Sequence, residues 1–211
     1  MQILLLDNHL LALDKPGGLL TQPSAGNEKS LENQAKDWLK KEFSRPGNVF
    51  LEAVHRIDKP ACGIVLFARS SKGLSRLNQS VRNRLVGKVY RARVEGIVRQ
   101  KKGHLENFLV HDDYRARVVS AEMPGARLAT LSYTLMESGS NESLLEIILE
   151  TGRYHQIRVQ LAHLGHPLLG DRKYGASMPW QKDCIALQHY RLTFPHPIGG
   201  KEITLHSQLN I

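Results

Sequence analysis

The 211-residue sequence predicts an α+β fold with a mixed, mostly antiparallel sheet flanked by helices and loops. Three observations carry that expectation. Short apolar or alternating runs recur from ILLL near the start to KEITLH near the end. Only three segments carry apolar residues at a helical spacing, and the strand-like runs often follow one another directly. There is no repeat, low-complexity tract or linker, so a single domain over residues 1–211 is expected.

The runs ILLL and LLAL flank Asp7-Asn8-His9, which suggests two short strands about a tight bend. KPGGLLTQPS breaks regularity with two prolines and two glycines and reads as a loop. Ser30 can cap a helix with Leu31, Ala35, Trp38 and Leu39 on one face. HRIDKPACG then leads into IVLFA, a buried strand by composition. Ser71 can cap a helix whose stripe is Leu74, Leu77, Val81 and Leu85, with Lys72, Arg76, Arg82 and Arg84 outside it. KVYRARVEG alternates with period two and places Tyr90, Ala92 and Val94 on one side. Strands are expected near RARVVSAE, ARLATLSYTLME and SLLEIILE, a helix over 154–164 ended by Gly165, and two late strands in CIALQHYRLTF and KEITLH.

Composition narrows the class. Apolar residues make up 41% of the chain and mean hydropathy is slightly negative, as in a soluble globular protein. No run approaches the roughly 18 apolar residues of a membrane span. MQILLLDNHLLALDKP has no basic leader and reads as strands rather than a signal peptide. Cys62 and Cys184, far apart and without metal-type spacing, fit reduced thiols in the cytoplasm. The net charge of +9 is concentrated: Arg69 to Lys102 holds eleven Lys and Arg residues against one acid, Glu95. Such a basic stripe suits a polyanionic partner, although a solvated helix face would also carry it.

Two constellations carry chemistry. In HRIDKPACG the carboxylate of Asp58 sits among His55, Arg56 and Lys59, which favour its ionised form. It can serve as a cap, an ion-pair partner or a nucleophile toward a sugar. In ETGRYHQIRVQLAHLGHPLLGDRKYG, residues 150–175, Arg153 and Arg158 lie at a helix entrance. Either can take a buried carboxylate in a bidentate fork that Lys would not reproduce. His155, His163 and His166 are irregularly spaced and lack HExxH, which argues against a metal site. GxxxxGK[ST], GxGxxG after a strand and GxSxG are missing, and Asp58 has no facing acid of the glycosidase kind.

Together these segments resemble the RluA family of pseudouridine synthases. LLALDKPGGLL resembles the family's strand pair with NKPxG, and HRIDKPACGIVLFA its HRLDxxTSG signature and strand. KVYRARVEG matches KxYxAxVxG, and residues 151–175 match TGRxHQLRxHxxxxGxPxxGDxxYG almost throughout. Ala61-Cys62 replaces the usual Thr-Ser, and Gln160 stands where the family usually has His.

The resemblance implies the pseudouridine synthase catalytic fold, here without the small N-terminal S4-like domain of many relatives. It implies isomerisation of uridine to pseudouridine in structured ribosomal or transfer RNA, without metal, nucleotide or redox cofactor. By position, it makes Asp58 the nucleophile, lays Tyr90 against the uracil and pairs Arg158 with Asp58. Ile157 becomes pocket wall, Arg56 fills the space left by a flipped-out uridine, and His55 and Arg153 join the substrate-binding set. A cytoplasmic monomer that avoids membranes is expected. Competing readings are an RNA-binding or RNA-folding module with a vestigial site, and a metal-dependent nuclease.

Overall fold

A computed structural model describes residues 1–25, 29–44, 46–112 and 114–211. In chain order these form β1 (Gln2–Leu6), β2 (Leu10–Lys15), α1 (Leu31–Glu42), β3 (Glu52–Ala53), β4 (Cys62–Ala68) and α2 (Ser71–Arg82). There follow β5 (Gly87–Glu95), β6 (Lys102–His111), β7 (Ala116–Val119), β8 (Arg127–Ser138) and β9 (Glu142–Leu149). The chain ends with α3 (Gln156–His163), a 3₁₀ turn at Arg172–Tyr174, β10 (Leu187–Pro195) and β11 (Glu202–His206). This is an α+β protein with a mixed sheet and three helices among the described residues.

The described residues divide into two compact units. Unit 1 comprises Met1–Gly87 and His189–Asn210; unit 2 comprises Lys88–Gln188 with the terminal Ile211.

In unit 1, β1 and β2 form an antiparallel hairpin. Its bend is fixed by the Asp7 carboxylate, which accepts from the backbone N–H groups of His9 and Leu10, both at 2.7 Å. β2 pairs antiparallel with β4, and β10 with β11. The IVLFA run forms the last five residues of β4 and is fully buried, as its unbroken apolar character requires. Leu10, Ile64, Leu66, Leu77, Leu192 and Phe194 close one core cluster, each large side chain contributing about 1.5–3 kcal/mol by burial. Ser30 caps α1 by accepting from Asn33 N. The cap of α2 is Ser70, not Ser71, accepting from Gly73 N at 3.1 Å. The expected stripe on α2 holds only in its first half: Leu77 is buried, whereas Val81 in the last turn is exposed and Leu85 lies exposed beyond the helix end at Arg82.

In unit 2 the strand order is β5-β9-β8-β6-β7, with antiparallel registers throughout. β6 was not expected from the sequence. Its inward positions include Gly103 and Asn107, which blur the alternation. Gly103 is required because a Cβ there would lie 2.4 Å from the Tyr133 ring. Tyr90, Ala92 and Val94 are buried on β5, in agreement with their parity. α3 is shorter than the expected span and begins at Gln156.

Candidate active site

The expected site residues divide between the units. Unit 1 holds His55, Arg56 and Asp58; unit 2 holds Tyr90, Arg153, Ile157 and Arg158.

Asp58 lies in the turn between β3 and β4, closed by Ala61 N donating to Asp58 O at 3.1 Å. The backbone on either side of Asp58 is pinned by the KPGGLLT segment. The Thr21 hydroxyl donates to Ile57 O at 3.0 Å and accepts from Ile57 N at 3.4 Å. The ammonium of Lys15, a residue with no exposed surface, donates to Lys59 O at 3.1 Å, Pro16 O at 3.0 Å and Leu19 O at 2.7 Å. A buried ammonium so surrounded by carbonyls fixes two loops against each other.

His55 turns toward β4, where its Nε2 accepts from Leu66 N at 3.3 Å and its ring meets His189 edge-on. Gly63 completes the turn. Its φ is +110°, and a Cβ would fall 2.4 Å from His189 O, so no other residue fits. Arg56 is exposed and makes no hydrogen bond or ion pair among the described residues.

In unit 2, Arg158 is buried and forms a two-pronged pair with Asp171: Nε to Oδ2 at 2.7 Å and Nη2 to Oδ1 at 2.8 Å. The bidentate partner sought for these arginines is thus present within GDRKYG. Arg158 Nη1 also lies 2.9 Å from His155 Nε2. A guanidinium only donates, so Nε2 accepts and the ring proton sits on Nδ1, which donates to the Tyr174 hydroxyl at 2.8 Å. That oxygen also accepts from Ala116 N at 2.9 Å, and the Arg158 guanidinium sits 5.1 Å over the Tyr174 ring. Burial pushes the Tyr174 phenol above its ordinary range, against the opposing effects of the Ala116 N–H and the Arg158 charge.

His155 holds a left-handed conformation, φ +51°, and offers no side-chain cap to α3. Gln156 stitches the helix entrance instead. Its Oε1 accepts from Thr151 Oγ1 at 2.7 Å and Arg153 N at 3.0 Å, while Nε2 donates to Thr130 O at 3.0 Å. Ile157 is buried beside it. Arg153 is exposed, and its Nε donates to Leu128 O. Tyr90 is buried on β5, opposite Ile147 in register.

A family model described as RNA pseudouridylate synthase matches residues 9–163, most of the chain. The chain belongs to the RNA pseudouridylate synthase family. It is thereby an isomerase of that kind. It is 32% identical to the dual-specificity RNA pseudouridine synthase RluA of Haemophilus influenzae, covering 99% of this chain and 93% of that one. It is 31% identical to ribosomal large subunit pseudouridine synthase D of Zymomonas mobilis, covering 99% of this chain and 69% of the relative. Among solved structures, human RNA pseudouridylate synthase domain containing 4 superposes with a TM-score of 0.82 at 22% identity, covering 99% of this chain and 88% of that one. That likeness is one of fold.

Seen as a pseudouridylate synthase, the chain has several positioning residues that sequence reasoning had not singled out. Lys15, Thr21, Gln156, Asp171 and Tyr174 all lie inside or beside the motifs quoted above. Their signal was the presence of polar side chains, charged, amide or hydroxyl, between apolar runs. A motif shows that such a residue is there, but not which partner it meets.

Proposed function

We propose that this protein isomerises uridine to pseudouridine in structured ribosomal or transfer RNA, with Asp58 as the nucleophile. The observation that carries the reading is the Asp58 turn, whose backbone is held on both sides by Lys15 and Thr21. A carboxylate that must meet a ribose carbon gains from a support that does not yield.

The reaction breaks the N1–C1′ bond, turns the uracil in place and joins C5 to C1′. The proton on C5 is lost and N1 takes one up, so no redox equivalent is consumed. By its place in the motif Arg158 serves as the orienting partner of Asp58, and Tyr90 and Ile157 give the detached base apolar walls that hold it away from water. Arg56 enters the RNA stack as the uridine leaves it; its exposure and lack of a described partner support that role. His55 and Arg153 flank the bound RNA. The protein works as a cytoplasmic monomer. Relatives whose names specify ribosomal large subunit or dual-specificity activity support ribosomal or transfer RNA as substrate.

The test is tritium release from RNA labelled at uridine C5, taken from cells lacking the protein, with EDTA present. Wild type should release tritium; Asp58→Ala should release none while still binding the RNA. Binding without release by the wild type would reduce the protein to an RNA-binding module. Release that depends on a metal would contradict the cofactor-free reaction.

A further inference from the structure

Lys88 poses a problem of charge. It sits on β5 two residues before Tyr90 and shares that residue's side of the strand. Its side chain is half-buried, and it makes no hydrogen bond or ion pair among the described residues. The acids nearby in the ladder are placed elsewhere. Glu142 pairs with Arg93 at 2.9 Å, Glu146 lies opposite Arg91 in register, and Glu150 accepts from Ser132 Oγ at 2.9 Å. Burial lowers the affinity of the Lys88 amine for its proton, and no neighbour offsets that effect.

What faces the ammonium is Gly152, in the turn that leads into α3. A Cβ at Gly152 would stand 3.6 Å from Lys88 Nζ. Gly152 is exposed, and its N–H has no hydrogen-bond partner among the described residues. A cation drawn partly out of water thus lies beside an open backbone donor, in a turn without side-chain bulk. Both are groups that a phosphate oxygen accepts from.

We propose that Lys88 binds a backbone phosphate of the RNA at the uridine being converted, and that Gly152 leaves the space this phosphate enters. The inference rests on the pseudouridine synthase reading for its choice of anion. It goes further in assigning one phosphate contact, out of a broadly basic segment, to a residue beside Tyr90.

The experiment measures binding of a fluorescein-labelled RNA stem-loop with uridines in its loop, at several salt concentrations, for the full-length protein. The variants are Lys88→Met, Lys88→Arg and Gly152→Ala, and tritium release is read in parallel on cellular RNA. Lys88→Met keeps the stem of the side chain and removes its charge. It should weaken binding about tenfold and flatten the log K against log salt line by about one unit. Lys88→Arg should restore the slope, and Gly152→Ala should weaken binding by setting a methyl group where the phosphate sits. Lys88→Met should also raise Tm, since an unpaired, partly desolvated charge is gone.

An unchanged salt slope in Lys88→Met overturns the assignment, whatever happens to Tm. Failure of the wild type to release tritium, with the slope change intact, would remove the isomerase reading and leave the phosphate site standing.

Discussion

Lys15 is the residue whose removal should be felt most directly. Its ammonium satisfies three carbonyls in a region with no exposed surface on the residue itself. Lys15→Met keeps the volume and leaves those carbonyls without their donor, so stability should fall by about 3 kcal/mol, read by urea denaturation. Tritium release should fall further than the loss of folded protein explains, because Lys59 O, next to Asp58, is one of the three. Gly63→Ala combines a positive φ with a Cβ inside the His189 backbone. A cost of at least about 3 kcal/mol is expected, and a variant that melts like wild type would contradict this geometry. Neither partner was legible in the sequence. Lys15 and Gly63 were visible within their motifs, yet the atoms they meet lie 44 and 126 residues away along the chain.

At the scale of elements, α3 shows how a helix with no side-chain N-cap is held in place. Gln156 supplies the bonds at its entrance, and the Arg158–Asp171 pair ties it to the 3₁₀ turn. Gln160 Nε2 donates to Asn107 Oδ1 at 2.8 Å and Ala129 O at 3.1 Å, on β6 and β8. Its difference from the usual family His is therefore a matter of how the helix is fastened to the sheet. Gln160→Ala should cost about 2 kcal/mol in denaturation. Arg158→Met should cost about 3–5 kcal/mol, because it leaves the buried Asp171 carboxylate uncompensated, and the double variant with Asp171→Leu should recover part of that loss. The helix was legible because Ile157 and Leu161 follow a helical spacing. Its first residue was not, since His155 turns left-handed and tertiary bonds set the boundary. β6 escaped notice because its inward face includes a glycine chosen to fit a tyrosine on another strand.

At the scale of the molecule, the α+β class followed from the succession of strands, and four motifs in order were enough to identify the family. The basic excess is carried to the surface in and just after α2, where Lys72, Arg76, Arg82 and Arg84 are exposed. RNA binding should accordingly fall steeply with salt, on the order of a thousandfold between about 50 and 200 mM if about six phosphates are contacted. Lys72→Glu with Arg84→Glu should weaken binding and flatten that dependence while leaving the denaturation midpoint unchanged. The partition into two units was not legible, because Lys88–Gln188 begins and ends within continuous strand patterns. That partition has a consequence for the order in which the protein is made. Unit 1 needs chain from both ends: Leu192 and Phe194 complete its core, and Ser207 Oγ and Gln208 N donate to the buried Asp14 carboxylate, each at 2.7 Å. A ribosome has therefore synthesised Lys88–Gln188 before the core of unit 1 can close.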